Sequence, residues 1–279
     1  MTQERHILGI SGGRDSAALA VYMRQHRPDL PIEYFFTDTG KELPEVYSFL
    51  DRLEGFLGKP IKRLNPDRDF DFWLDEYGNF LPSPRTRWCT RQLKLRPLEQ
   101  WIRPALEAGT TIHSYVAIRA DEPSREGYQS THENMLVHLP LRDAGIDRAG
   151  VIELLENADV GEPEYYSWRS RSGCTFCFFQ QKIEWVRLAK HHPGEFQKAV
   201  AYEKTALEGG SPFTWSQGES LTELIEPKRV DAIEKDYEKR LERLRKRRPR
   251  NPLAGATDDT IDDVYGVDEA DAGCVICHK

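Results

Sequence analysis

Gly9 to Tyr22 reads GISGGRDSAALAVY: a glycine pair between two serines, then Asp-Ser, then an alanine-rich apolar run. The stretch stands between RHILGI, which reads as a strand, and Asp15 to His26, which reads as a helix. Gly12 and Gly13 permit a tight turn and a close approach of backbone to a ligand. Ser11 and Ser16 add hydroxyl donors, and the amides that open the following helix point at the same space. Together these suit phosphate oxygens. The spacing is neither G-x-x-x-x-G-K-[ST] nor G-x-G-x-x-G. The plainer account is a Gly-Gly turn with Asp15 as an ordinary helix cap.

The same strand-then-helix alternation continues to about residue 118. IEYFFTD reads as a second strand, ELPEVYSFLDRLEGFL as a helix with apolar residues three and four apart, and PIKRLN as a third strand. A helix around Leu93 to Leu106 precedes TTIHSYVAI, the fourth strand. Such alternation implies right-handed crossovers and an α/β fold: a parallel twisted sheet with helices on both faces, its ligand sites at the carboxyl ends of the strands. From Pro140 to Gly209 the chain reads as mostly helical, with GIDRAGVIELLENA and QQKIEWVRLAKHH the clearest amphipathic pieces. Leu221 to Arg248 reads as one highly charged helix. An acidic stretch and a terminal CVICHK follow. These shifts divide the chain into a catalytic domain over 1–208, a basic helical extension over 209–250 and an acidic tail over 251–279.

A chain of 279 residues, 39% of them hydrophobic, can bury one sizeable core with some residues left for an appendage. The net charge of −7 argues against a surface coated in nucleic-acid-binding charge but permits a local basic patch. No apolar run approaches the roughly 20 residues of a membrane span, and MTQERHILGI carries no secretory pattern. The expectation is a soluble, cytoplasmic protein. Four of the five cysteines form two C-x-x-C pairs, Cys174/Cys177 and Cys274/Cys277, and the fifth is Cys89. Without a secretion signal, this spacing favours metal binding or thiol chemistry over a disulfide framework.

SGGRDS resembles the S-G-G-x-D-S pyrophosphate loop of the PP-loop ATP pyrophosphatases, which cleave ATP between the α- and β-phosphates and activate a substrate as its adenylate. Arg14 stands where lysine is common, which keeps the charge and changes the hydrogen-bond geometry. FFTDTGKELPEVYSFLDRL resembles the D-T-G-x-E-x-P-E-T segment of the phosphoadenosine-phosphosulfate (PAPS) reductase branch, and VAIRADEPSREGY its G-x-R-x-x-E-S-x-x-R segment. LPLRDAGIDRAGVIELLENADVGEPEYY loosely resembles its P-L-x-D-W-x-x-x-D-V-W segment. The resemblance runs in family order from about residue 5 to 200. It implies an adenine nucleotide alpha-hydrolase-like sheet. ATP would lie on Ser11, Gly12, Gly13, Arg14, Asp15 and Ser16, with adenosine near Asp38, Thr39 and Gly40 and Mg2+ neutralising the phosphates. Asp15, Arg119 and Arg125 would be catalytic. On chemistry alone, Asp38 closes an apolar strand, where a carboxylate is costly unless it serves a ligand, a magnesium ion or a cap. Arg119 and Arg125 bracket a turn, and guanidinium forks suit phosphate or sulfate oxygens. Their alternative is an ion pair with Asp121 or Glu122.

Members of this branch that reduce adenosine phosphosulfate carry a Cys-Cys pair ahead of a Lys and Pro-Leu, then a later C-x-x-C. Together these hold a [4Fe–4S] cluster. In TRWCTRQLKLRPL, Cys89 takes the first cysteine position and Thr90 the second, while Lys94 and Pro97-Leu98 keep their offsets. SGCTFCFFQQ supplies Cys174 and Cys177. The resemblance thus implies three thiolates, one fewer than a closed Cys₄ site. The open iron can bind a hydrosulfide, as in some PP-loop tRNA-thiolating enzymes. The Cys-Thr pairing is also similar to the DndC type of protein, which serves DNA phosphorothioation. That favours sulfur transfer onto a nucleic acid, fed by a cysteine desulfurase or other persulfide donor. Zinc on Cys174 and Cys177 with other ligands is an alternative, and Cys89 beside Trp88 can be an ordinary buried thiol. Reductases without a cluster use a C-terminal E-C-G-x-H whose cysteine attacks the sulfonate. Here Cys277-His278 echoes it without the glutamate and glycine, so Cys277 is a candidate nucleophile, and the C-x-x-C can carry persulfide, resolve a disulfide or supply a fourth ligand. The pair with Cys274 and His278 can equally bind zinc. Lys239 to Arg250 holds eight lysines and arginines against one glutamate, Glu242, and offers a nucleic-acid backbone a place to dock. Its charges can also pair internally at helical spacing. A homo-oligomer is compatible with all of these readings.

Overall fold

A computed structural model describes residues 3–125, 132–211 and 213–247. Cys274, Cys277, His278, the acidic tail and the last residues of the basic run lie outside the described residues. Five strands form one sheet: β1 (Glu4–Gly9), β2 (Ile32–Phe36), β3 (Ile61–Arg63), β4 (Thr111–Tyr115) and β5 (Met135–His138). Their order is β3-β2-β1-β4-β5 and every pairing is parallel, with His6 opposite both Ile32 and His113. A parallel sheet is covered on both faces and its central strands are apolar throughout; Ile7 and Leu8 of β1 are both fully buried, on opposite faces.

The first helices are α1 (Arg14–His26), α2 (Pro44–Leu57), α3 (Phe70–Glu76) and the single turn α4 (Trp88–Thr90). A π-helical turn over Arg91–Leu95 joins α4 to α5 (Arg96–Glu107). After β5 come α6 (Pro140–Asp143), α7 (Arg148–Asn157), α8 (Lys182–His191), α9 (Pro193–Glu208), α10 (Leu221–Leu224) and α11 (Pro227–Arg247). One face of the sheet carries Leu8, Tyr34 and Tyr115 under the apolar sides of α1, α2 and α7; the other carries Ile7, Phe35 and Ile112 under Leu98, Trp101 and Ile102 of α5. Ala17, Ala18 and Ala20 of α1 are completely buried, so their small side chains let that helix pack closely against its neighbours.

The expected α/β architecture is the one found. The four strands read from sequence are present within a few residues. β5 was not read: its four residues are too few for alternation to register, and Leu136 at this sheet edge is exposed. The charged helix read from Leu221 is two helices, because Pro227 disfavours helical backbone at the residue before it. Nor does this C-terminal segment stand away from the sheet domain. Trp215, Leu221, Leu224 and Ile233 belong to the main core, and the buried Glu203 of α9 accepts the backbone N–H groups of Trp215 and Leu221 at 2.9 and 2.6 Å. Among the described residues no helix is long and apolar enough to cross a membrane.

Glu219 ties α8 to α11: it accepts from Arg229 Nε and Nη2 at 2.6 and 2.7 Å and from Lys182 Nζ. The Arg229 hydrogen bonds, helped by Lys182, hold its carboxyl at about 2 against an ordinary 4.5. A depressed carboxyl stabilises the fold fully above its unfolded pKa, and that stabilisation disappears as pH falls through the folded one. Glu219→Gln should therefore lower the melting temperature by a few degrees near neutrality. The gap to the parent should narrow steadily below about pH 4.5; an equal gap at pH 6 and pH 3 would contradict the assignment.

Candidate functional site

Strand order reverses between β1 and β4, so the chain leaves the carboxyl ends of these neighbours in opposite directions and opens a crevice there. Residues 10–13 and 116–119 lie at that position. The first loop is internally braced: Ser11 N–H donates to Ser16 Oγ at 3.0 Å, Gly13 N–H to Ser11 Oγ at 3.2 Å, and Ser16 Oγ to the Gly13 carbonyl at 3.1 Å. Gly12 has φ +75°, and a Cβ there would meet Val46 Cγ1 at 2.6 Å. A Cβ on Gly13 would meet Ser172 Oγ at 2.8 Å. Both glycines are therefore required by packing inside the protein as well as by any approach to phosphate. Gly13 is the N-cap of α1 and has no side chain to cap it; of the first-turn amides, Arg14 N–H donates to the Tyr166 hydroxyl at a long 3.4 Å. Its first-turn amides thus keep the partial positive charge that suits an anion.

Asp15 is not the cap. It reaches Arg119, whose Nη1 donates to Asp15 Oδ2 at 3.0 Å, and its other oxygen, Oδ1, is buried with no partner. Arg119 also donates to both oxygens of Asp121, at 2.8 and 3.2 Å. Desolvation opposes its charge, but Asp15, Asp121 and Glu122 outweigh that and raise its pKa. Arg125 is held by Glu122 at 2.7 Å. The predicted pair thus comes together with Asp15 and Glu122 at the mouth of β4, each arginine already matched to carboxylates. Arg14 turns the other way: its guanidinium donates to Glu162 at 2.9 Å and lies over the Tyr166 ring at 4.4 Å. The loop's own cation is thereby engaged in anchoring residues 162–166.

Asp38 Oδ1 accepts the Gly40 N–H at 2.9 Å and the Tyr47 hydroxyl at 2.8 Å, which fixes the turn after β2. That turn swings Thr39 and Glu42 onto Cys174. Thr39 Oγ1 lies 3.3 Å from its sulfur and donates to Glu42 Oε1 at 2.9 Å; the Cys174 thiol faces the same oxygen at 3.8 Å. Burial first, and the Glu42 charge second, push the Cys174 thiol far up. Burial also raises Glu42, against the pull of Lys94 and Arg169, and Glu42 Oε2 is buried without a partner. Lys94 acts on both groups from the π-helical turn that follows Cys89. In a regular α-helix residues five apart stand about 140° apart, and the wider turn brings position 94 back toward the side of position 89. Phe70 links the two cysteine segments, with ring centroids 5.1 Å from Trp88 and 5.3 Å from Phe176.

One stretch joins the Gly12–Gly13 loop to the thiols. The Tyr165 hydroxyl donates to the Gly12 carbonyl at 2.8 Å, Ser172 packs on Gly13, and Arg169 Nη2 donates to the Cys174 carbonyl at 2.7 Å. Cys89, Cys174 and Cys177 are all half-buried. Zinc bound by thiolates in a tetrahedron would hold their sulfurs about 3.8 Å apart, whereas the three thiols are not all within 4.8 Å of one another. Three half-buried thiols, with the Lys94 charge acting on Cys174, are the kind of donor set that takes a thiolate-bound cluster. The one group of such compactness among the described residues, Glu4, His6 and His113, lies elsewhere on the sheet, and its two imidazoles stack nearly parallel at 4.7 Å instead of aiming at one point.

Residues 5–135 match the family model of the phosphoadenosine phosphosulfate reductase domain. Over that stretch, just under half of its length, the chain is similar to this domain. It is 28% identical over 201 residues to an uncharacterized protein of Methanocaldococcus jannaschii, covering 69% of this chain and 40% of that one. A second protein of that organism is 27% identical over 195 residues, 68% and 45% of the two chains. An uncharacterized 37.8 kDa protein of Escherichia phage 186 is 25% identical over 252 residues, covering 71% and 74%. The chain thus spans less than half the length of the two archaeal relatives. Among solved structures, a PAPS reductase from Candida auris in a phosphate complex has a TM-score of 0.49 at 13% identity, covering 61% of this chain and 81% of that one. The U34-tRNA thiolase NcsA of Methanococcus maripaludis, with its [4Fe-4S] cluster, has a TM-score of 0.40 at 17% identity, covering 73% of each. At these scores the likeness carries nothing about chemistry.

Sequence reading passed over Glu42, Glu162, Tyr165, Tyr166 and Arg169. Only Glu42 had a local signal, standing inside the D-T-G-x-E segment; the others act through contacts with residues far away in the chain. Gly12→Ala should destabilise the domain by more than about 1 kcal/mol, since it meets both a left-handed φ and Val46. Tyr165→Phe should cost about 1–3 kcal/mol by leaving the Gly12 carbonyl unmet. Denaturant unfolding at fixed m-value measures both, and a neutral result for either would contradict the packing described.

Proposed function

We propose that the chain is an ATP-dependent sulfurtransferase of the ATP-pyrophosphatase kind, with a nucleic acid as acceptor, as in DNA phosphorothioation. The observation that supports this reading is the stretch Tyr165–Cys177, which touches the Gly12–Gly13 loop at one end and carries two thiols at the other. ATP is held with its phosphates on the α1 amides and on the Ser11 and Ser16 hydroxyls, and its adenosine near Asp38, Thr39 and Gly40. The orphaned Asp15 Oδ1 suits a hard cation such as Mg2+, which would offset phosphate charge. Arg119 stands behind Asp15 and orients it. An acceptor oxygen attacks the α-phosphorus, the bond to the β-phosphate oxygen breaks and pyrophosphate leaves. Sulfur then displaces AMP from the activated acceptor. Fixed amides and cations supply most of the rate, because phosphoryl-type transfer is chiefly positioning and charge stabilisation. Cys89, Cys174 and Cys177 would hold a [4Fe–4S] cluster, whose chemistry is to bind and deliver sulfide. Glu42, Thr39 and Lys94 set the charge around Cys174 and shield it from water.

The family match favours a second reading, reduction of a sulfonucleotide, in which the Cys277 thiolate attacks the sulfonate sulfur. Anaerobic purification with iron, sulfide and zinc analysis tests the metal assignment, and pyrophosphate release from ATP tests the reaction. Asp15→Ala should lower pyrophosphate release about 100-fold, while Cys277→Ser should leave it intact. A chain that releases no pyrophosphate, reduces a sulfonucleotide and loses that activity with Cys277→Ser would replace the first reading by the second.

A further inference from the structure

The acceptor needs a docking surface, and the helical stretch that begins beside Cys89 presents one. A cavity of about 610 Å³ along it is lined by Arg87, Arg91, Arg96 and Arg103, with Glu99 the one acidic residue among its walls. A second cavity, of about 320 Å³, is lined by Arg68, Trp73 and the acidic Asp67 and adjoins the first at Gln92 and Arg96, which line both. Arg91, Arg96 and Arg103 are exposed, and among the described residues none of the three has a carboxylate within ion-pair distance. Three unneutralised guanidinium groups on one groove of a chain with net charge −7 form a concentrated positive site.

Aromatic surface adjoins it. Tyr77 and Phe80 are 36% and 40% exposed, unusually open for large rings. Tyr77 lies face to face with the buried Trp88, centroids 5.3 Å apart and 12° between planes, and its hydroxyl accepts from Gln92 of the groove at 3.2 Å. Its outer face is therefore held rigid beside the arginines. Arginine forks for phosphate with a fixed aromatic face for a base are the two parts of a single-strand binding groove. Thr90, next to Cys89, lines the same groove, so a bound strand would run to the edge of the thiol site.

The basic helix α11 is a weaker candidate than its composition implied. Arg240 pairs with Asp236 at 2.8 Å, Lys246 with Glu242 at 2.7 Å and Lys235 with Asp231 at 2.6 Å, each one helical turn away. Part of its charge is thus matched, while Lys239 and Arg243 are exposed and, among the described residues, have no carboxylate within ion-pair distance.

We propose that the Arg91–Arg96–Arg103 groove seats a single-stranded polynucleotide, its phosphates on the guanidinium groups and a base against Tyr77. This names the acceptor surface for the sulfur-transfer reading and rests on it for its purpose. Binding is measured without ATP, metal or a sulfur donor, so the two stand or fall separately. The probes are fluorescein-labelled 20-nucleotide oligo-dT and oligo-U, read by fluorescence anisotropy with the full chain at 50 mM salt. The double variant Arg91→Ala/Arg96→Ala should bind its preferred strand at least tenfold more weakly, and the slope of log K against log salt should flatten by about 1.4, roughly 0.7 for each lost phosphate contact. Tyr77→Ala should weaken single-strand binding at least fivefold and duplex binding less. Lys239→Ala/Arg243→Ala should stay within twofold of the parent. Circular dichroism of these surface variants should match the parent. The proposal is overturned if the parent binds neither oligonucleotide, if the groove variant stays within twofold, if the α11 variant loses as much as the groove variant, or if polyglutamate competes as well as oligo-dT.

Discussion

Tyr165 is completely buried and gives its hydroxyl hydrogen to the carbonyl of Gly12, a residue whose positive φ turns that carbonyl inward. A buried carbonyl left unmet costs about 1–3 kcal/mol, so the turn after β1 and the segment around Tyr165 hold each other in place. The same segment carries Arg169, which binds the Cys174 carbonyl, and Ser172, which packs where a Gly13 side chain would be. Position of the Gly12–Gly13 loop and position of the C-x-x-C loop are consequently one structural property. Phe176, packed among Phe70, Tyr202 and Trp215, pins the far end of that loop to the core.

Charge follows the same economy of position. Arg14, Arg119 and Glu42 are all nearly inaccessible, and a buried charge is tolerated when opposite charge and hydrogen bonds surround it. Arg14 has Glu162 and Arg119 has Asp15, Asp121 and Glu122. Among the described residues three buried carboxylate oxygens lack partners, and two of them, Asp15 Oδ1 and Glu42 Oε2, belong to the Gly12–Gly13 loop side and the thiol side respectively; the third is Glu45 Oε2. Few buried polar atoms go unsatisfied in folded proteins, and the first two are where a bound cation or polar ligand would complete the balance.

The exposed face beside the thiols complements this interior. Helix α5 buries Ile102 against the second face of the sheet and leaves Arg96 and Arg103 outside. Its amphipathic pattern thus serves the fold and the groove together. The π-helical turn before it changes the phase of the helix, so that Lys94 serves the interior while Arg91 faces water.

Local order in the chain was enough for the parallel sheet, for the turn at Gly12 and Gly13 and for the resemblance to PAPS reductases, because strand and helix periodicity and turn chemistry act between near neighbours. It also marked Asp15, Arg119, Asp38 and the three cysteines. Local order did not reveal β5, too short to show a period, or the break at Pro227 within an otherwise helical charge pattern. Nor did it reveal that Arg14 faces Glu162, that Cys174 meets a carboxylate 132 positions away, or that Arg91 and Arg96 have no carboxylate within ion-pair distance while Arg240 of α11 pairs with Asp236. Those facts depend on distance through space. Burial and Coulomb interaction are set by which segments are pressed together, and only the folded sheet, with Tyr165 locked onto Gly12, brings these segments into contact.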